Sequence, residues 1–228
     1  ANILAIILFK ILQKKIIIRC NTSPSSYINS GAMKLIFGFF YNFADKIIVN
    51  SKEFNREFSH FFKIKSHTIY NPVISAINIK KSIDLGYLTK KKIKLISVGR
   101  LTKIKNQIVI LKALNLIKDK FNFELLILGK GNELNNLKNF VDENNLGKNI
   151  IFKGYKDDPI KYINKSNVLI HASKFEGLPN VLIEAQLQKK LVISSNCPTG
   201  PKEILLNGKG GYLFNHQNYN QLSKILLN

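Results

Sequence analysis

The sequence has no tryptophan, one methionine, two cysteines, and 14 acidic residues against 35 lysines and arginines. Cys20 and Cys197 stand far apart with no CxxC pairing. That argues against a disulfide framework or a zinc ribbon and fits a reducing compartment. There is no GxxxxGK[ST], so no Walker loop, and no DxD metal motif. Without a Cys/His finger or an RNA-binding signature, nucleic-acid binding rests on charge alone. No apolar run approaches the roughly 20 residues of a spanning helix. The longest, Ala1–Leu12, is broken by Lys10 and has no small-residue cleavage site and no initiator Met, so it is not expected to act as a signal peptide.

What is present is charge and apolar content. The net charge is +21 and 45% of the residues are hydrophobic, enough for a sizeable core in one or two domains. A balance this basic suits an anionic partner: nucleic acid, an anionic membrane face or a phosphorylated substrate. The lysines are spread rather than clustered. The charge therefore reads as compositional drift with some attraction to a membrane surface, and nucleic acid is not expected as a partner.

Ala1–Leu12 reads as a buried helix followed by a strand over Lys15–Arg19. A chain that opens inside a core helix suggests truncation at the N-terminus. Asn21–Gly31 reads as a polar loop, Met33–Phe43 as a helix and Ile47–Val49 as a strand. Ser51 is a plausible N-cap for the next helix. Thr68–Tyr70 is strand-like and Asn71-Pro72 stops it. Residues 73–92 mix Lys, Ser and Gly with weak periodicity and read as a linker. From 93 to 228, short apolar strands alternate with amphipathic helices, the pattern of a doubly wound parallel sheet covered on both faces. Ligands of such sheets sit beyond the carboxyl ends of the strands. The loops after Val98, Leu128, Phe152, His171 and Ser194 are therefore where chemistry is expected.

Gly99 allows a tight turn after Val98, and Arg100 and Lys105 follow it as two cations able to neutralise a diphosphate, Arg by a planar fork and Lys as a point charge. The bland alternative is a solvated basic loop. Glu176 and Glu184 flank seven residues that include Gly177, Leu178 and Pro179. Pro179 suits the first turn of a helix whose free amides favour an anion. Glu184, about a turn and a half in, can accept two vicinal hydroxyls, as on a ribose. Glu176 at the strand exit can bond a sugar hydroxyl. Alone, such glutamates are more often solvated helix charges; the Gly-Leu-Pro and the upstream cations reverse that. Gly129, with Lys130 and Gly131, and Gly154-Tyr155 allow close approach to a base or sugar, or are simple turns. Gly200-Pro201-Lys202-Glu203 rigidifies a loop ahead of a short helix. Asp157-Asp158 before Pro159 reads as a helix cap.

Taken in order, GRLxxxK, GxG, FxGY, SxxEG(x)₆E, GPKEI and GGYLF resemble the retaining GT-B glycosyltransferases of family four, bacterial builders of surface glycans. The match is strong over residues 94–214. It is weak over 16–72, through Ala44–Ser51 and Ile69–Pro72. The resemblance implies a partial, acceptor-side Rossmann-like domain over 1–72, a linker over 73–92 and a nearly complete nucleotide-sugar-binding domain over 93–228. It implies Arg100, Lys105 and Glu176 as catalytic residues. Arg100 and Lys105 clamp the donor diphosphate, Glu176 meets the sugar, Glu184 holds the ribose, and the Gly177 and Leu178 amides meet the phosphates. The implied partners are a nucleotide-sugar donor, expected to be a UDP-sugar such as a UDP-N-acetylhexosamine, and a glycan or lipid-linked acceptor, at the cytoplasmic membrane face and with no cofactor or metal. A nucleotide-sugar-holding module without turnover is the alternative.

Overall fold

The structure, a computed structural model, describes residues 2–73 and 92–228. The expected linker over 73–92 lies, apart from its two end residues, outside the described residues. Two parallel sheets organise the rest. The first has three strands in the order β1 (Ile17–Cys20), β2 (Lys46–Val49), β3 (His67–Thr68). It is accompanied by helices α1 (Asn2–Ile11), α2 (Gly31–Tyr41) and α3 (Lys52–Phe62).

Helix α3 shows how local sequence builds this unit. Ser51 is its N-cap, with Oγ accepting from the Phe54 amide at 3.0 Å. Phe54, Phe58 and Phe62 recur every fourth residue, which places them on one buried face. Each phenylalanine removed from water contributes about 1.5–3 kcal/mol. Lys63, left-handed with φ of 60°, ends the helix. The expectation for α1 needs correction. The helix forms, but Ile6 is its one buried residue and Leu4 is 74% exposed. The described residues cover only one side of it.

The second sheet has six parallel strands: β4 (Ile93–Val98), β5 (Phe123–Leu128), β6 (Ile150–Gly154), β7 (Val168–His171), β8 (Leu191–Ser195) and β9 (Tyr212–Phe214). Their order is β6-β5-β4-β7-β8-β9. Counted from β4 this is 3-2-1-4-5-6, the Rossmann order, whose direction reverses between β4 and β7. Helices α4 (Ile108–Ile117), α5 (Leu134–Glu143) and α9 (Tyr219–Leu227) join one core cluster with the sheet. Helices α6 (Ile160–Asn164), α7 (Asn180–Leu187) and α8 (Pro201–Ile204) pack into the other. Strands buried on both faces, such as β7, read as unbroken apolar runs for this reason. The expected doubly wound α/β sheet is what the chain forms.

Candidate active site

The loops leaving β4, β5 and β6 meet α7 around a cavity of about 620 Å³. Its lining includes Gly99 and Arg100 after β4, Gly129 and Lys130 after β5, Tyr155, Lys156 and Asp157 after β6, and Glu184 from α7. This is the carboxyl end of the strands beside the switch point. Gly129 is required there by space as well as by its φ of 145°: a Cβ would stand 1.9 Å from the Gly99 carbonyl oxygen. The β4 and β5 exits can therefore press together and leave the cleft open above them. Arg100 is exposed toward solvent. Glu184 is half-buried, and burial alone pushes its carboxyl pKa up. A carboxylate so placed gains from any pair of hydroxyl donors that replaces lost water.

Next to this cavity lies a second polar cluster, centred on one oxygen. Glu176 Oε1 receives Lys105 Nζ at 2.5 Å, Ser173 Oγ at 2.6 Å and the His171 ring Nε2 at 2.9 Å. The Glu176 side chain is only 11% exposed. Burial pushes its carboxyl up, but the His171 ring and the Lys105 ammonium outweigh this and hold it down at about 2. Burial, together with the same carboxylate, pushes the nearby Cys197 thiol up to about 12, so that cysteine is a packing residue and not a nucleophile.

The backbone of Glu176 is fixed from the β8–α8 loop. Its amide donates to the Pro198 carbonyl at 2.8 Å, and Thr199 Oγ1 donates to the Glu176 and Gly177 carbonyls at 3.2 and 3.3 Å.

The structure thus brings Gly99, Arg100, Gly129, Tyr155 and Glu184 into one cavity and places Lys105 and Glu176 in the adjoining ion-paired cluster. Gly154 closes β6 just before Tyr155, and its carbonyl accepts the Gly129 amide at 2.9 Å. Pro179 is the N-cap of α7. Gly177, Leu178 and Pro179 are not among the lining of the cavity. At Gly177 the close approach comes from protein: a Cβ would lie 2.2 Å from the Asn21 carbonyl oxygen of the three-stranded unit. The capping role expected of Asp157-Asp158 is also corrected. Pro159 is the N-cap of α6, with no side-chain cap bond; Asp158 pairs with Lys161 at 3.4 Å and Asp157 lines the cavity.

Sequence reasoning passed over His171 and Ser173 as partners of Glu176. The signal was available. In extended chain, residues two apart point the same way, so H-x-S at a strand exit presents both side chains to one point. In the sequence Lys130 reads only as part of a glycine turn, and Lys156 is hidden among the many other lysines.

The chain belongs to the family described as glycosyl transferases group 1, whose model matches residues 81–227. It is 32% identical over 181 residues to an uncharacterized glycosyltransferase of Methanocaldococcus jannaschii, covering 75% of this chain and 44% of the relative. It is 30% identical over 215 residues to the N-acetylgalactosamine-N,N'-diacetylbacillosaminyl-diphospho-undecaprenol 4-alpha-N-acetylgalactosaminyltransferase of Campylobacter jejuni, covering 91% of this chain and 58% of the relative. The chain therefore spans about half the length of these relatives. Among solved structures it resembles Anabaena HepE in complex with UDP-glucose, with a TM-score of 0.82 and 20% identity over 98% of this chain and 65% of that one. Staphylococcus aureus TarM, in complex with UDP among other ligands, follows at 0.78 and 18% identity, over 94% of this chain and 43% of that one. At such identities the likeness shows the fold, which is GT-B.

Proposed function

We propose that this chain carries the donor half of a glycosyltransferase that moves a sugar from a UDP-sugar to a glycan or lipid-linked acceptor with retention of configuration. The observation that carries the reading is Glu184. It is a half-buried carboxylate, raised by burial, and it lines with Arg100 one cavity at the switch point of a Rossmann-ordered sheet. A ribose supplies the vicinal hydroxyls Glu184 lacks. A diphosphate supplies the negative charge that Arg100 and Lys105 would neutralise. In this reading Glu176 meets the donor sugar, the Gly177 and Leu178 amides lie toward the phosphates, and Gly129, Gly154 and Tyr155 border the nucleoside. The names of the relatives and the UDP found in the neighbours support the substrate class.

As the glycosidic bond breaks, charge accumulates on the departing diphosphate, and fixed cations stabilise it without reorganising. Lys105 can serve both neighbours, because an ammonium has three N–H donors and Glu176 takes one. No divalent cation is required in this scheme. The enzyme would act at the inner face of the cytoplasmic membrane, where lipid-linked acceptors are found.

The test is calorimetric titration of the chain with UDP in buffer containing EDTA. Binding should persist there. Glu184→Ala should weaken it by roughly 1.5–3 kcal/mol, the worth of hydrogen bonds to a charged acceptor. UDP affinity that is lost in EDTA, or is untouched by Glu184→Ala, would remove the metal-free reading or the ribose assignment respectively.

A further inference from the structure

The turn that carries Glu176 is gripped by residues that belong to the other sheet. Glu53, in the first turn of α3, accepts a hydrogen bond from the Gly200 amide at 2.8 Å, across 147 residues of sequence. Gly200 follows Thr199, whose hydroxyl holds the Glu176 and Gly177 carbonyls. The return contact comes from Glu203 in α8. Its carboxylate accepts from the Lys52 and Glu53 amides at 3.2 and 2.8 Å and from the Tyr70 hydroxyl at 2.5 Å. Ser51 Oγ reaches the Gly177 carbonyl at 3.4 Å, and Asn21 fills the space beside Gly177. An unbroken run of contacts thus joins the start of α3 to the backbone of Glu176.

We propose that Glu53 is a positioning residue for Glu176. By fixing Gly200, and through it Thr199, it makes placement of the sugar-facing carboxylate depend on the three-stranded unit being docked. The inference rests on the reading of Glu176 as the donor-sugar contact. A tie that merely joined the two units would affect UDP and a UDP-sugar alike. A positioning tie acts more on the UDP-sugar than on UDP, because Arg100 and Glu184, two of the UDP contacts in that reading, line the cavity away from the Glu176 turn.

The experiment uses the full chain with Glu53→Ala and Glu53→Gln; the second keeps an oxygen acceptor for the Gly200 amide. Two quantities are measured: hydrogen exchange at the Glu176 and Thr199 amides, and the ratio of affinities for UDP-N-acetylglucosamine and UDP. In Glu53→Ala both amides should exchange about tenfold faster and the ratio should shift about tenfold, as expected for loss of one charge-assisted hydrogen bond. UDP affinity itself should fall much less than affinity for the UDP-sugar, because Arg100 and Glu184 lie outside the lost bond. Glu53→Gln should restore most of both effects. Thr199→Val removes the next contact from the other side and should reproduce the effects of Glu53→Ala, so the test survives if Glu53→Ala fails to fold. Unchanged exchange in the folded variants overturns the proposal, as does faster exchange with an unchanged ratio. If the wild type binds neither ligand, the functional reading falls, while the exchange result still decides whether Glu53 holds the Glu176 turn.

Discussion

Glu176 concentrates three donors on one oxygen inside a nearly closed environment, which fixes the sign of its pH dependence. Its folded carboxyl sits at about 2, against an ordinary 4.5. A lowered carboxyl stabilises the fold fully above the ordinary value, and the stabilisation is lost as pH falls toward the folded value. Wild type and Glu176→Gln should therefore differ in melting temperature by a constant amount near neutrality. The gap should narrow as pH drops below about 4.5 and close near 2, following the cited shift. A gap unchanged across that window would mean that Glu176 is not ionised against His171 and Lys105. Lys105→Ala belongs to the same argument. It leaves a buried carboxylate short of its cation, so it should lower melting temperature as well as turnover.

Among the elements, α2 and α3 offer an internal control. Each begins with a serine whose Oγ accepts the amide three residues on: Ser30 from Met33 at 3.2 Å and Ser51 from Phe54 at 3.0 Å. Ser30 is exposed; Ser51 is buried and also reaches Gly177. Ser30→Ala should cost only the cap, about 1 kcal/mol, or roughly 2–4 °C for a chain of this size. Ser51→Ala should cost measurably more; equal losses by thermal melt would show that the second contact carries nothing. The Ser51 cap was legible in the sequence, as was the α/β alternation, because caps, turns and apolar periodicity act over a few residues. Strands β5 and β7 end at Leu128 and His171, the strand exits their apolar runs indicate. What could not be read depends on distance along the chain. The Glu53–Gly200 and Glu203–Lys52 contacts follow from how two sheets dock, and no local pattern encodes them. The exposure of α1 is of the same kind, since periodicity reports an apolar face and not what covers it.

On the scale of the whole molecule, charge and apolar surface coincide. Leu4, Leu8, Ile11, Leu35, Ile36 and Phe39 on α1 and α2 are exposed. Lys14 and Lys15, in the loop after α1, and Lys34 on α2 are exposed. Among the described residues no helix is long and apolar enough to cross a membrane. In the proposed membrane-facing reading this surface adsorbs to an anionic bilayer, with lysines drawing the chain in and leucines settling against the headgroups. The two contributions separate by salt, since the Debye length falls from about 10 Å at 0.1 M to about 3 Å at 1 M while apolar burial persists. Vesicles of phosphatidylcholine with phosphatidylglycerol should bind the chain more tightly than pure phosphatidylcholine, and the difference should shrink as salt rises. Replacing Lys14, Lys15 and Lys34 by Ser should remove most of the salt-sensitive part, at about 1 kcal/mol per lysine. Leu35→Ser with Phe39→Ser should weaken binding to both vesicle types and leave the salt slope in place. Equal partition to neutral and anionic vesicles at low salt would refute the electrostatic part and leave the net charge of +21 as a property of composition.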